Sequence, residues 1–107
     1  MKGMNPQMGG LMKQAQEFQK KMAQAQEGLR ERVVEGTAGG GMVKAQVNGK
    51  LELVALKIDP EVVDPDDTDM LEDLIIAAIA QGTKKAQELA DKEMSKLTGG
   101  MPIPGLF

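Results

Sequence analysis

The sequence predicts an α+β domain in which an antiparallel sheet is flanked by two helices. Three observations carry this expectation. Apolar residues recur in alternating steps of three and four from Met8 to Leu29, period-two alternation punctuated by glycines fills residues 32–58, and helical spacing returns from Met70 onward.

Residues 1–10, "MKGMNPQMGG", are rich in Gly, Met and Gln and read as a flexible leader. A single domain over residues 11–98 follows, with a flexible tail over residues 99–107. The apolar positions of the first helix are Met8, Leu11, Ala15, Phe18, Met22, Ala25 and Leu29, the a/d spacing of a coiled-coil seam. Two arrangements answer it: the seam packs on the chain's own second helix, or part of it projects as an arm. Alanine at two seam positions and glutamines all around make the stripe thin.

Residues 32–38, "RVVEGTA", have the β-branched content of a strand, and residues 42–50, "MVKAQVNGK", alternate Val43, Ala45 and Val47 against Lys44, Gln46 and Asn48. Gly39 to Gly41 turn the chain between them. Asn48-Gly49 is a strong hairpin signal, because both central residues of a type I′ turn need positive φ. It leads into residues 51–58, "LELVALKI", with Leu51, Leu53 and Ala55 on one face and Val54, Leu56 and Ile58 on the other, the pattern of a strand covered on both sides. So short a chain has few elements for two covers, and near this size a monomer buries only about 60 to 65% of its unfolded surface. A second copy is therefore expected.

Asp59-Pro60 ends that strand, since proline supplies no ladder N–H and restricts the residue before it. Asp69 with Glu72 resembles a capping box, Thr68 is an alternative cap, and Asp66, Asp67, Asp69, Glu72 and Asp73 suit the positive end of a helix dipole. The calcium-loop pattern of central Gly and closing Glu is absent, so no metal is expected. The second helix, residues 70–97, sets Leu71, Leu74, Ile75, Ala78, Gly82, Ala86, Leu89 and Leu97 at helical spacing. Ile76 and Ile79 fall off that stripe, which again points to a covering chain. The dimer interface expected from these doubly apolar elements is Leu53, Leu56, Leu74, Ile75, Ile76 and Ile79. Further along, Lys84, Glu88, Lys92 and Lys96 form an i, i+4 ladder expected to be a solvated, salt-bridged face.

Apolar residues at 41% and charged residues at 27% are ordinary for a globular protein, and neither a membrane span nor a signal peptide is evident. A cytoplasmic protein is expected, with no membrane partner. With neither cysteine nor histidine, zinc sites, redox chemistry and the commonest general base lose their residues. The glycine run fails as a phosphate loop: counting from Gly36, the second glycine is Gly41, but Met42 and Val43 follow it in place of Lys and Ser or Thr. No enzyme activity, cofactor or small-molecule substrate is indicated. Base stacking is disfavoured too, because the only aromatics are Phe18 and Phe107.

The net charge of -3 is unevenly distributed. Eight of the sixteen acids lie within residues 59–73, which hold no lysine or arginine, so the remainder is about +5. Residues 11–32 carry Lys13, Lys20, Lys21, Arg30 and Arg32 against Glu17, Glu27 and Glu31, a net of +2. Lys13 and Lys20 share one heptad position opposite the seam. Either these cations only solvate a helix, or, doubled in a dimer, they straddle a duplex and contact phosphates without reading bases.

Four blocks, "LMKQAQEFQKKM" (residues 11–22), "VEGTAGGGMVKAQVNG" (34–49), "VALKIDP" (54–60) and "DMLEDLIIAA" (69–78), closely resemble those of the YbaB/EbfC family of bacterial nucleoid-associated proteins. The resemblance spans roughly residues 9–105. It implies an α-β-β-β-α subunit, an intertwined tweezer-like homodimer, and binding of double-stranded DNA in the nucleoid with influence on nucleoid organisation and gene expression. Carried over by position, the DNA-facing surface falls on Lys13, Lys20, Lys21, Arg30 and Arg32, with Lys84, Lys85, Lys92 and Lys96 as weaker candidates. Gly82 departs from the family pattern, where a polar residue is more usual, and a bend or a close backbone contact is expected there. The competing reading is a dimeric protein-interaction module whose helical arms hold another protein, which the thin, Met-containing seam and the net negative charge favour.

Overall fold

A computed structural model describes residues 6–99, and the element order is helix α1 (Pro6–Arg30), strands β1 (Val33–Ala38), β2 (Val43–Asn48) and β3 (Leu53–Ile58), a 3₁₀ turn (Pro60–Val62), and helix α2 (Thr68–Thr98). The α-β-β-β-α order matches the expectation. Helix α1 starts at Pro6, where a missing N–H costs nothing and φ is already helical, so residues 6–10 belong to the helix and not to a leader. The rest of the expected leader and residues 100–107 of the expected tail lie outside the described residues.

The three strands form one antiparallel sheet in the order β1-β2-β3. The central strand supplies the core: Val43, Ala45 and Val47 are buried against α2, which contributes the buried Ala78, with Leu71, Leu74, Ile75 and Ile79 packed around it. On the opposite face Lys44 is exposed, Gln46 is half-buried and Asn48 is buried.

Gly36 and Gly82 let α2 come so close to the sheet. A methyl added at Gly36 would run into the helix backbone at the Ala78 carbonyl oxygen and the Gly82 nitrogen, and one added at Gly82 would sit 2.9 Å from Val47 Cγ2. The expected close backbone contact at Gly82 is thus present, and its partner is the Gly36 of β1. Side chains of α2 also occupy the outer edge of β1: Thr37 N–H donates to Gln81 Oε1 at 2.7 Å, and Lys85 Nζ donates to the Glu35 carbonyl at 2.9 Å. An edge strand so covered is a poor template for further pairing.

The Asn48-Gly49 turn forms for a different reason than expected. Gly49 is not at positive φ; Leu51 is, at 64°. Asn48 O accepts from Leu51 N at 2.9 Å, and Asn48 N donates to Glu52 O at 2.9 Å, which makes a three-residue loop closed by a left-handed residue. The buried Asn48 side chain shapes it: Oδ1 accepts from Lys50 N and Glu52 N, both at 3.0 Å. Strict alternation in β3 also fails. Ala55 pairs with Gln46 but Leu53 pairs with Val47, so Val54 is the extra residue of a bulge and Leu53 joins the face of its partner Val47.

Helix α2 is capped by Asp67, whose side chain accepts from Met70 N at 3.2 Å, and not by Asp69 or Thr68. The bound carboxylate leaves Thr68 as the first helical residue, so the expected box with Glu72 does not form. Gly99, at φ 67°, ends the helix in the left-handed conformation.

Candidate nucleic-acid interface

Both arrangements considered for the seam of α1 occur, each over part of its length. Leu29 and Met22 are 4% and 8% exposed and pack with Ala90 and Met94 of α2, whereas Phe18 is 39% exposed and Leu11 64%. Leu97, in the last turn of α2, lines one cleft with Gln14, Glu17, Phe18 and Lys21, so α1 has no helix beneath it before about Gln14. Residues 6–13 lie wholly beyond α2, and with its root as far as Lys21 the arm is about 24 Å long. The elongation shows in the whole chain, whose extents are 77 × 21 × 17 Å and whose radius of gyration is 20.7 Å, against about 13 Å for a compact domain of this size.

The base of the arm is held by the β2–β3 turn. Gly49 N donates to the carbonyls of both Leu29 and Arg32 at 2.9 Å, satisfying the end of α1, and a methyl on Gly49 would come within 2.8 Å of Leu29 Cβ. Asn48 Nδ2 donates to Glu52 Oε1 at 2.8 Å, and Glu52 in turn lies 3.4 Å from Arg30. The Asn48 amide first, and then the Arg30 charge, hold the Glu52 carboxyl below the usual carboxylate range. The turn, the carboxylate and the last residues of α1 form one hydrogen-bonded unit that fixes where the arm points.

The cations named from the sequence divide by position. Lys13, Lys20 and Lys21 are exposed on the arm and make no ion pair among the described residues. Arg30 is engaged by Glu27 at 2.7 Å and by Glu52, and Arg32 by Glu93 at 3.3 Å, so both arginines serve the arm's base. On α2, Lys85 is tied to β1 and Lys96 lies 3.5 Å from Glu93. The expected ladder of Lys84, Glu88 and Lys92 is exposed but closes no salt bridge among the described residues; the i, i+4 contact on this helix is instead Gln87 to Asp91 at 2.9 Å.

The residues expected at a dimer interface also divide. Leu74, Ile75 and Ile79 are half-buried in the chain's own core, whereas Leu53, Leu56 and Ile76 are exposed, Ile76 by 64%. Val54, Val63 and Met70 are exposed beside them in sequence. Helix α2 crosses β1 and β2 and leaves β3 largely uncovered.

Sequence reading missed the Asn48–Glu52–Arg30 unit, Gly36 as the partner in the Gly82 contact, and the Asp67 cap. Glycines interrupting a strand and a helix were the available signal for the second. Among the described residues no group of three or more His, Cys, Asp or Glu is placed to hold a metal ion, and no helix is long and apolar enough to cross a membrane.

Comparison with known proteins fits this arrangement. A nucleoid-associated protein of Alkaliphilus metalliredigens is 51% identical over 102 residues, covering 95% of this chain and 90% of the relative. One from Clostridium acetobutylicum is 52% identical over 110 residues, covering 98% of each. The crystal structure of an uncharacterized protein from Helicobacter pylori superposes with a TM-score of 0.73 at 28% identity, over 90% of this chain and 99% of that one. The sequence model of the YbaB/EbfC DNA-binding family matches residues 4–101 of this two-helix, three-strand subunit, and the chain belongs to that DNA-binding family.

Proposed function

We propose that this chain acts as a homodimer that grips double-stranded DNA through backbone phosphates, as a nucleoid component that influences nucleoid organisation and gene expression. The observation that carries the reading is the projecting arm, where Lys13, Lys20 and Lys21 are exposed and unpaired among the described residues while the arginines at its base are engaged. Unpaired cations give up no internal partner when they meet a phosphate, and they release condensed counterions from the duplex. Phe18 is the one aromatic among the described residues and it lines the cleft against Leu97, so base stacking has little to draw on and the exposed lysines favour recognition of the backbone. The names of the relatives place those proteins at the nucleoid, which supports the same location here. Dimerisation is supported by the uncovered apolar face of β3 and α2, at Leu53, Leu56 and Ile76, which a second copy would remove from water.

A gel shift on duplex DNA across a salt series, run beside a molar-mass measurement, tests both parts. Binding weakens with a log-log slope of about -0.9 per phosphate neutralised. Joint replacement Lys13→Glu, Lys20→Glu and Lys21→Glu abolishes retention while the dimer persists. Binding that is insensitive to salt, or retention that survives the triple replacement, refutes the arm clamp.

A further inference from the structure

We propose that the outer seam of the arm, from Met8 to Phe18, packs antiparallel on the same seam of a second copy. The a/d steps run unbroken from Met8 to Leu29, yet α2 buries them only from Met22 to Leu29 and reaches Phe18 only through Leu97. Toward the tip the same period continues through Ala15 and Leu11 to Met8, and the large members Leu11 and Met8 are 64% and 56% exposed. A seam of this period receives a helix of matching period. The outer part of α1 in another copy presents one.

Packing and charge select this occupant. Met8 and Phe18 stand equally far in sequence from Lys13, as do Leu11 and Ala15, so a two-fold axis at that level sets Leu11 against the partner's Ala15 and Met8 against the partner's Phe18. Large meets small in the first pair, and a thioether meets an aromatic ring in the second, both favourable. The incoming methionine finds a seat, because Phe18 and Leu97 border a cleft of about 280 Å³ whose charged members, Glu17 and Lys21, are of opposite sign. The second arm thus takes over the seam where α2 leaves it. The flanking heptad positions between Met8 and Phe18 are Met12 and Gln14, both uncharged, and Lys13 lies opposite the seam, so two arms of like charge meet without bringing cations together. The exposed surface of Met8, Leu11, Met12 and Phe18 comes to about 400 Å² per arm, half the roughly 800 Å² per partner of a standard interface. Pairing is therefore weak and concentration-dependent. It rests neither on DNA binding nor on the β3 face being an interface, and it leaves Lys13 and Lys20 facing outward.

Because the natural chain has no cysteine, oxidative cross-linking of the full chain in the absence of DNA tests this. Protein carrying Leu11→Cys is mixed with size-tagged protein carrying Ala15→Cys and run on a denaturing gel. The mixed disulfide should exceed twice the yield of either like pair, the ratio that random collision would give. A mixed product at or below that ratio, as a parallel pairing would leave it, or no disulfide beyond that of a Lys13→Cys control, overturns the proposal. Sedimentation over a concentration series supplies a second readout. The average molar mass of the natural chain should rise with concentration, and Leu11→Glu, on a part of α1 that touches no other element, should abolish the rise while circular dichroism shows a folded subunit. Ile76→Glu should leave the rise in place, which separates this contact from the β3 and α2 face. A mass independent of concentration, or a rise that survives Leu11→Glu, overturns the pairing.

Discussion

Alanine substitution at three glycines separates the helix–sheet contact from helix propensity. At Gly28, inside α1, an added methyl meets nothing within 4 Å, so only the backbone term operates and Gly28→Ala stabilises by up to about 1 kcal/mol. At Gly82 the same propensity gain is opposed by the Val47 methyl at 2.9 Å, with Gly36 N at 3.3 Å and Ala45 O at 3.4 Å behind it. Overpacking of this kind costs about 1–3 kcal/mol, and since the close atom is a side chain that can shift, Gly82→Ala ends as a net loss of about 0–2 kcal/mol. At Gly36 the obstacles are the Ala78 carbonyl and the Gly82 amide, both main chain of α2, and no propensity gain is available in a strand. The helix itself has to move off the sheet, so Gly36→Ala costs about 3 kcal/mol or more, a large fraction of the total stability of a small domain. With no Trp or Tyr in the chain, the measurement is urea denaturation followed by far-ultraviolet circular dichroism, at one fixed protein concentration because the stability of the proposed dimer depends on it. The midpoints should fall in the order Gly28→Ala, wild type, Gly82→Ala, Gly36→Ala. A Gly36→Ala midpoint equal to or above that of Gly82→Ala would refute the backbone contact.

Asn48→Ala removes a buried side chain with one donated and two accepted hydrogen bonds and should cost about 3 kcal/mol in the same assay, at roughly 1 kcal/mol each; a loss under about 1 kcal/mol would show that the turn holds without it. Glu52 has a folded pKa below its ordinary value of 4.5, so its charge contributes stability that is present above 4.5 and is lost as pH falls through the folded value. The stability gap between wild type and Glu52→Gln should therefore narrow as pH is lowered below 4.5, and a gap that widens contradicts the sign. Ile76→Glu places a charge on the exposed apolar face of α2 and should halve the molar mass seen in solution without unfolding the subunit; an unchanged mass would remove this face from the interface.

Much of the fold was legible because the periodicities were long and clean. The alternation of β2 survives into the structure as a buried face, and the a/d steps of α1 do so from Met22 to Leu29. What failed to show were features decided by one contact distant in sequence. Nothing local marks Asp67 over Asp69 as the cap, since both are short carboxylates before an apolar run. The bulge at Val54 depends on β2 pairing, and it alters which face Leu53 occupies. The partners of the arginines, Glu52 and Glu93, could not be read from the sequence, because only the turn and the helix packing bring them to Arg30 and Arg32.

The location of charge, and not its total, reconciles a protein of net -3 with a polyanionic partner. The acidic residues 59–73 lie at the start of α2, and the arm leaves beside Leu97 at its other end. From Asp73 to Leu97 the helix runs about 36 Å at about 1.5 Å per residue, and the arm's tip lies farther still. At physiological ionic strength the screening length is about 8 Å, so the eight carboxylates would exert almost no force on a phosphate at Lys13 or Lys20, where the proposed clamp puts it. At about 0.01 M salt the screening length grows to about 30 Å, comparable with that separation, and the acidic end then repels the duplex. On the proposed clamp, the arm therefore acts through its own charge, and the acidic pole disfavours DNA along the body of the subunit. A chain average erases this distinction, which is why net charge argues so weakly against binding here.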